Sequence, residues 1–297
     1  MSRKLAMLPL SLLLMSCSGE GRSEVDLDRA DPGSELIASA TVIEREDGGP
    51  HLCVGAVMSS LPPQCGGPSL VGWDWEAVGG SEAMGDVQWG DYVVVGTYDE
   101  SAGSFTLTRP AVPRSEYDGP DLYAEAPSSM DFSTRCPEPE GGWRVLDPAL
   151  AKDNARRKTW RIFRHLPGHG LLWLDRTVNP DAPTPKQLGR KWRLRANDPA
   201  LFVLNVETTK DLAETESIVR ETWGGALCVS KARFAARELN LIEKELRADP
   251  RHLSVGTGRD HVDVQVIYDD GTLQDQLDDR YGKGVVRVSS ALQPYEP

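Results

Sequence analysis

The chain has 297 residues, of which 45 are acidic and 33 basic, for a net charge of −12. So negative a polypeptide is repelled by nucleic acid phosphates and by anionic lipid headgroups, which excludes nucleic acid as a partner and surface charge as a membrane anchor. At 39% apolar and 26% charged it is globular rather than disordered, and long enough for two modest cores.

The chain opens with Arg3 and Lys4, then an apolar run from Leu5 to Met15 interrupted by Pro9. A membrane-crossing helix needs roughly 20 apolar residues, so residues 1–16 read as a removable export leader. The Ala-x-Ala at Ala38-Ser39-Ala40 lies too far downstream to be its cleavage site. Leu14-Met15-Ser16-Cys17 fits better, because it resembles the lipobox of bacterial lipoproteins. The resemblance implies that the Cys17 thiol carries diacylglycerol, that cleavage falls just before it, and that the new amine takes a further acyl chain such as palmitate. Several chains anchor stably where one is marginal, so the membrane becomes a partner through the anchor, on the extracytoplasmic face of the cell membrane.

Residues 17–35 are small, charged and without periodicity, a flexible tether in which Asp26, Asp28 and Asp31 lack the spacing of a calcium loop. From 36 to 112 the pattern is β throughout, with strands expected at Leu36 to Glu46, His51 to Val57, Leu70 to Trp75, Tyr92 to Tyr98 and Ser104 to Thr108. Five short strands divided by Gly and Pro turns predict a small β-barrel-like domain of OB-like kind. Trp73 and Trp75 fall on one strand face, a candidate platform for stacking a sugar, although barrel core packing explains the same residues.

Residues 113–147 are rich in Pro, Gly and Asp and read as an interdomain linker pinned by Cys136. A helix is expected next, capped by Asp147 with Pro148 in its first turn and stopped at Pro167-Gly168. It carries the basic cluster Arg156, Arg157, Lys158, Arg161 and Arg164. Beyond it come a strand at Leu201 to Glu207, a helix from Thr209 to Trp223, and a strand at Ala226 to Ser230. A helical stripe of Ala235, Leu239, Ile242 and Leu246 leads to strands at His252 to Gly256 and at Val262 to Val266. A helix carrying Leu273, Leu277 and Tyr281 then precedes a strand at Val285 to Ser289. From Ala226 the order is βαββαβ, which predicts a ferredoxin-like two-layer α/β domain over 148–297, and α+β for the whole chain. "ETWGGALCVS" (221–230) and "DRYGKGVVRVS" (279–289) suggest an internal repeat.

Setting Cys17 aside leaves Cys53, Cys65, Cys136 and Cys228, an even number with three possible pairings and no Cys-x-x-Cys to suggest zinc. Cys53 and Cys65 flank a segment containing Pro62-Pro63 that can fold the chain back, so they are expected to pair locally. Cys136 with Cys228 follows by elimination.

"GLLWLD", "FVLNVET", "ALCVS" and "ARELNLIEKEL", taken in order, are similar to the motif order in pro-segments of secreted bacterial serine proteases of the α-lytic type. The likeness covers 170–247. No protease domain follows within the chain, so it implies a peptidase-binding surface rather than peptidase activity.

His165 and His169 form H-x-x-x-H, but Pro167 and Gly168 break the helix that metal ligation would need. No nucleophile elbow, Walker motif or dinucleotide fingerprint is present, so the sequence assigns no catalytic residue, no metal and no cofactor. The expectation is a lipid-anchored envelope protein acting as a non-enzymatic binding module toward an envelope protein or a cell-wall component. The alternatives are an extracytoplasmic hydrolase with dispersed site residues and a regulator or inhibitor of a secreted peptidase.

Overall fold

The computed structural model describes residues 34–46, 48–120, 122, 131–178 and 198–297. The leader, Cys17 and the acidic tether residues lie outside the described residues.

The N-terminal part is a closed five-stranded barrel. Strands β1 (Leu36–Arg45), β2 (His51–Cys53) and β3 (Ser69–Val71) form an antiparallel meander, and a short helix α1 (Trp75–Val78) follows. Next come β4 (Glu82–Met84), β5 (Val87–Asp99) and β6 (Ser104–Leu107). β3 pairs in parallel with β6, β6 runs antiparallel to β5, and β5 runs antiparallel to β1 over the full length of β1, from Leu36↔Gly96 to Arg45↔Val87. The order β1-β2-β3-β6-β5-β1 closes the sheet and removes its free edges. β5 serves both neighbours by passing close to β6 at Gly96, where a Cβ would sit 2.1 Å from the Thr106 carbonyl oxygen. Leu52, Val42, Val94, Tyr92 and Phe105 fill the interior, all fully buried. The five expected strands are present; β4 and the two-residue β7 (Val112–Pro113) on β5 are additions.

Helix α2 (Asp153–Phe163) starts later than expected, because the Asp147 carboxylate accepts from the Ala149 N–H in a turn of its own. β8 (His169–Asp175), β9 (Val203–Thr208), α3 (Leu212–Arg220) and β10 (Leu227–Lys231) follow. Asp211 caps α3 by accepting from the Glu214 N–H. β8 runs antiparallel to β9 and β9 parallel to β10, with α2 and α3 packed on one face through Phe163, Leu204, Val206, Val219 and Trp223.

The remaining elements repeat this plan: α4 (Ala236–Leu246), β11 (Ser254–Thr257), β12 (Val262–Val266), α5 (Thr272–Tyr281) and β13 (Val286–Ser290). β11 is antiparallel to β12 and β12 parallel to β13, with α4 and α5 on one face through Leu239, Leu246 and Leu277. The C-terminal part is therefore two αββαβ units, each with its own three-stranded sheet. This corrects the single ferredoxin-like sheet: β10 is taken by β9 and does not join β11, β12 and β13.

The chain end then returns to the barrel. β14 (Gln293–Pro294) adds to β1, and Leu292, fully buried, joins the barrel core together with Leu253, Ile267 and Tyr268. The expected boundary at 148 therefore does not separate all the barrel's contacts from the rest of the chain.

Candidate functional site

Trp73 and Trp75 stand at one end of the barrel core. Gly72, with φ +86°, ends the strand before them, and Asp74 caps α1 by accepting from the Glu76 N–H. The two rings meet edge-on at 5.1 Å and 80°, and Trp73 meets Tyr92 at 4.8 Å. Both are half-buried against the core, and the Trp75 indole N–H donates to Glu44. Rings crossed in this way pack a core and offer no shared flat surface. A nearby groove of about 550 Å³ is lined by Glu44, Arg45, Glu46, Ala83 and Asp86.

The cysteines lie in two pairs at disulfide distance. Cα atoms are 5.5 Å apart for Cys53 and Cys65 and 5.6 Å apart for Cys136 and Cys228. His165 follows the end of α2 and His169 begins β8, where its Nδ1 meets the Leu166 carbonyl. Among the described residues, no group of three or more His, Cys, Asp or Glu is placed to hold a metal. No described helix is long and apolar enough to cross a membrane. Of the basic cluster on α2, Arg156 and Arg157 both pair with Asp153 on the same helix.

The sheet face turned away from the helices distinguishes the two units. In the first, it presents the row Trp173, Asn205 and Cys228 across β8, β9 and β10, with Glu207 and Ser230 one pleat along. Residues 131–136 lie over this row. The Trp173 indole N–H donates to the Phe132 carbonyl, the Asn205 amide donates to Thr134 Oγ1, and Cys136 meets Cys228. Asp175 accepts from the Thr134 N–H. The sequence reading takes this stretch as linker; in the fold it is a strap. The strap completes the burial of β9, all six of whose residues are buried.

At the strap's edge, Glu207 and Arg259 form a buried ion pair of 3.5 Å, with side chains 3% and 9% exposed. Arg259 comes from the turn between β11 and β12 and lies 4.1 Å above the Trp173 ring, so it joins the second unit to the first. Arg135 reaches the same carboxylate at 3.7 Å. Burial pushes the Glu207 carboxyl above the usual range, and the two guanidiniums offset part of that shift. Burial likewise lowers Arg259.

In the second unit, the corresponding face carries two in-register rows, Gly256–Asp263–Arg287 and Ser254–Gln265–Ser289. Val262, Val264 and Val266 turn toward the helices, leaving Asp263 and Gln265 on this side. Gly256, Ser254, Arg287 and Ser289 are exposed, and a Cβ at Gly256 would meet nothing within 4 Å. Asp263 is 30% exposed and meets His261 Nε2 at 3.2 Å; Nδ1 of the same ring meets Asp260 at 2.8 Å. The hydrogen bond from His261 and the nearby charges of Arg287 and Arg233 hold the Asp260 carboxyl below its usual range.

The two faces superpose in pattern. Cys228-Val229-Ser230 and Arg287-Val288-Ser289 occupy matching positions, as "CVS" and "RVS" in the sequence suggest. What sequence reasoning misses is that the pattern defines a face, covered in one unit and open in the other. No family model, curated protein or solved structure matches the chain.

Proposed function

We propose that this is a lipid-anchored protein of the cell envelope, fixed to the membrane through Cys17, that works by binding rather than catalysis. Its second sheet holds a protein partner against the face formed by Gly256, Asp263, Arg287, Ser254, Gln265 and Ser289. One observation carries this reading: the equivalent face of the first unit is closed by the chain's own residues 131–136, whereas this one is open and polar. The second face of a three-stranded sheet with helices on one side is covered by the chain itself in the first unit, and in the second unit it is left accessible to a partner. The barrel supports this role as a rigid base. Its strand order, with β3 parallel to β6, supports the OB-like reading of the barrel, and Leu292 and the partly buried Leu253, Ile267 and Tyr268 pack into its core.

The test is in-cell photocrosslinking. A photoreactive residue at Gln265 is expected to give one discrete adduct with an envelope protein, identified by mass spectrometry and then shown to bind when purified. A photoreactive residue at Leu241, exposed on α4, serves as control and is expected to give none. Equal capture from both positions, or turnover of a peptide, ester or glycan by the purified protein that one substitution abolishes, would overturn the reading.

A further inference from the structure

Helix α2 turns a basic face outward from an acidic molecule. Residues 152–165 hold six basic side chains and one acid, a local charge of +5, while the rest of the chain carries −17. Thr159 and Phe163 are buried and Ala155 and Ile162 partly so, which fixes the inner side of the helix. Arg157, Lys158, Trp160, Arg161 and the following Arg164 are all exposed. Trp160 is 54% exposed, and by helical spacing Arg157 and Arg164 lie one turn to either side of it. Arg157 shares Asp153 with Arg156, whereas Lys158, Arg161 and Arg164 make no ion pair among the described residues. A face that only meets water has no use for an indole. Tryptophan set among Arg and Lys is the composition of a surface lying in a bilayer interface, with the ring at headgroup level and the cations on phosphate. Arginine suits that place because its guanidinium fork grips phosphate oxygens in pairs.

We propose that this face of α2 rests on anionic phospholipid headgroups, and so sets which side of the protein the bilayer meets. The inference rests on the Cys17 anchor of the reading above and not on the open sheet face. The contact suits the anchor in reach and in strength. Read from the sequence as a tether, residues 17–33 span about 20–25 Å, and a tether of that length supplies an effective concentration on the order of millimolar, so even a weak patch is occupied. The acyl chains hold the protein at the membrane, and the helix orients it. The acidic remainder does not prevent this, because at physiological salt charges more than about 8 Å from the contact are largely screened.

The test is vesicle partitioning of residues 17–297 with Cys17→Ser, which keeps every described residue and lacks the acyl chains. Cosedimentation is run with vesicles of equimolar phosphatidylglycerol and phosphatidylcholine, and with phosphatidylcholine alone, up to the millimolar lipid that the tether would supply. The expected result is saturable binding to the anionic vesicles only, lost at high salt. At roughly a fivefold loss for each cation removed from an anionic surface, Arg161→Glu with Arg164→Glu should weaken binding at least tenfold. Arg237→Glu with Lys244→Glu makes the same change in net charge at exposed positions of α4 and should leave binding intact. Brominated lipid should quench tryptophan emission, and Trp160→Phe should remove the quenched component. Absence of binding to the anionic vesicles, an equal loss in both double variants, or quenching that Trp160→Phe leaves unchanged would overturn the inference. Binding to polyglutamate as tight as to the vesicles, without quenching by brominated lipid, would replace the bilayer by an acidic protein. Because the chain tested carries no acyl group, these outcomes stand apart from the fractionation of Cys17→Ala, which decides the anchor itself.

Discussion

Replacing Arg259 with leucine removes the positive charge from the joint between the two units while keeping bulk over Trp173. In the parent, the guanidinium lies 3.5 Å from Glu207 and 4.1 Å above the indole. Loss of the cation–π contact costs about 0.5–2 kcal/mol, independent of pH in this range. Loss of the ion pair leaves Glu207, 3% exposed, with only the half-exposed Arg135 at 3.7 Å. The carboxyl escapes this by taking up a proton, which sets a ceiling. From an ordinary glutamate pKa of about 4.3, holding it protonated at pH 7 costs at most about 3.7 kcal/mol, and at pH 5 only about 1 kcal/mol. A carboxyl whose folded pKa is raised favours folding below its unfolded pKa and loses that contribution as pH rises toward its folded pKa. The parent already shows this direction of shift, and the variant extends it. Denaturant unfolding of Arg259→Leu should therefore show a deficit of up to about 4–6 kcal/mol at pH 7, shrinking to about 1.5–3 kcal/mol at pH 5. Adding Glu207→Gln should remove most of the pH-dependent part. A deficit equal at both pH values, or one that Glu207→Gln leaves untouched, would show that the buried Glu207 charge is not what Arg259 offsets.

The two cysteine pairs close loops of very different length, with separations of 92 and 12 residues. Chain entropy assigns about 4.6 kcal/mol to Cys136–Cys228 and about 2.8 kcal/mol to Cys53–Cys65, so the double serine variant of the first should lower the unfolding midpoint further. Leu292→Ala, which empties a fully buried position in the barrel core, should cost about 2–5 kcal/mol; a change within error would show that the chain end is not part of that core. Cys17→Ala should leave the protein unprocessed or soluble in fractionated cells, and detergent partitioning at the processed size would contradict the anchor.

The elements after residue 200 are legible in the sequence because each carries its own period. Val262, Val264 and Val266 alternate, Leu239, Ile242 and Leu246 follow a helical stripe, and Gly282 caps a helix end. Pairing is not legible in the same way. The string βαββαβ from Ala226 is compatible with one sheet, and only β9, upstream of that string, claims β10 and divides the strands into two. Strands of two or three residues, such as β4, β7 and β14, leave no pattern to read, since their edges are set by neighbours rather than by composition. The candidate platform shows the same limit. Trp73 and Trp75 fit a strand face by spacing, but Gly72 turns the chain before them and Asp74 starts a helix between them. The strap leaves one trace, the cysteine in a Pro-rich stretch that pairs across the chain. The second sheet's open face is written in Asp263 and Gln265 between buried valines, but its vacancy is visible only beside its covered counterpart.

A face that binds a partner is blocked by Gly256→Trp. The substitution enters open space on β11 and places an indole where the first unit carries Trp173, so it covers the row without disturbing the core. With unfolding unchanged, the adduct formed from a photoreactive Gln265 should fall at least tenfold in Gly256→Trp. The same adduct at parental yield, in a variant whose face is blocked, would contradict binding at this face.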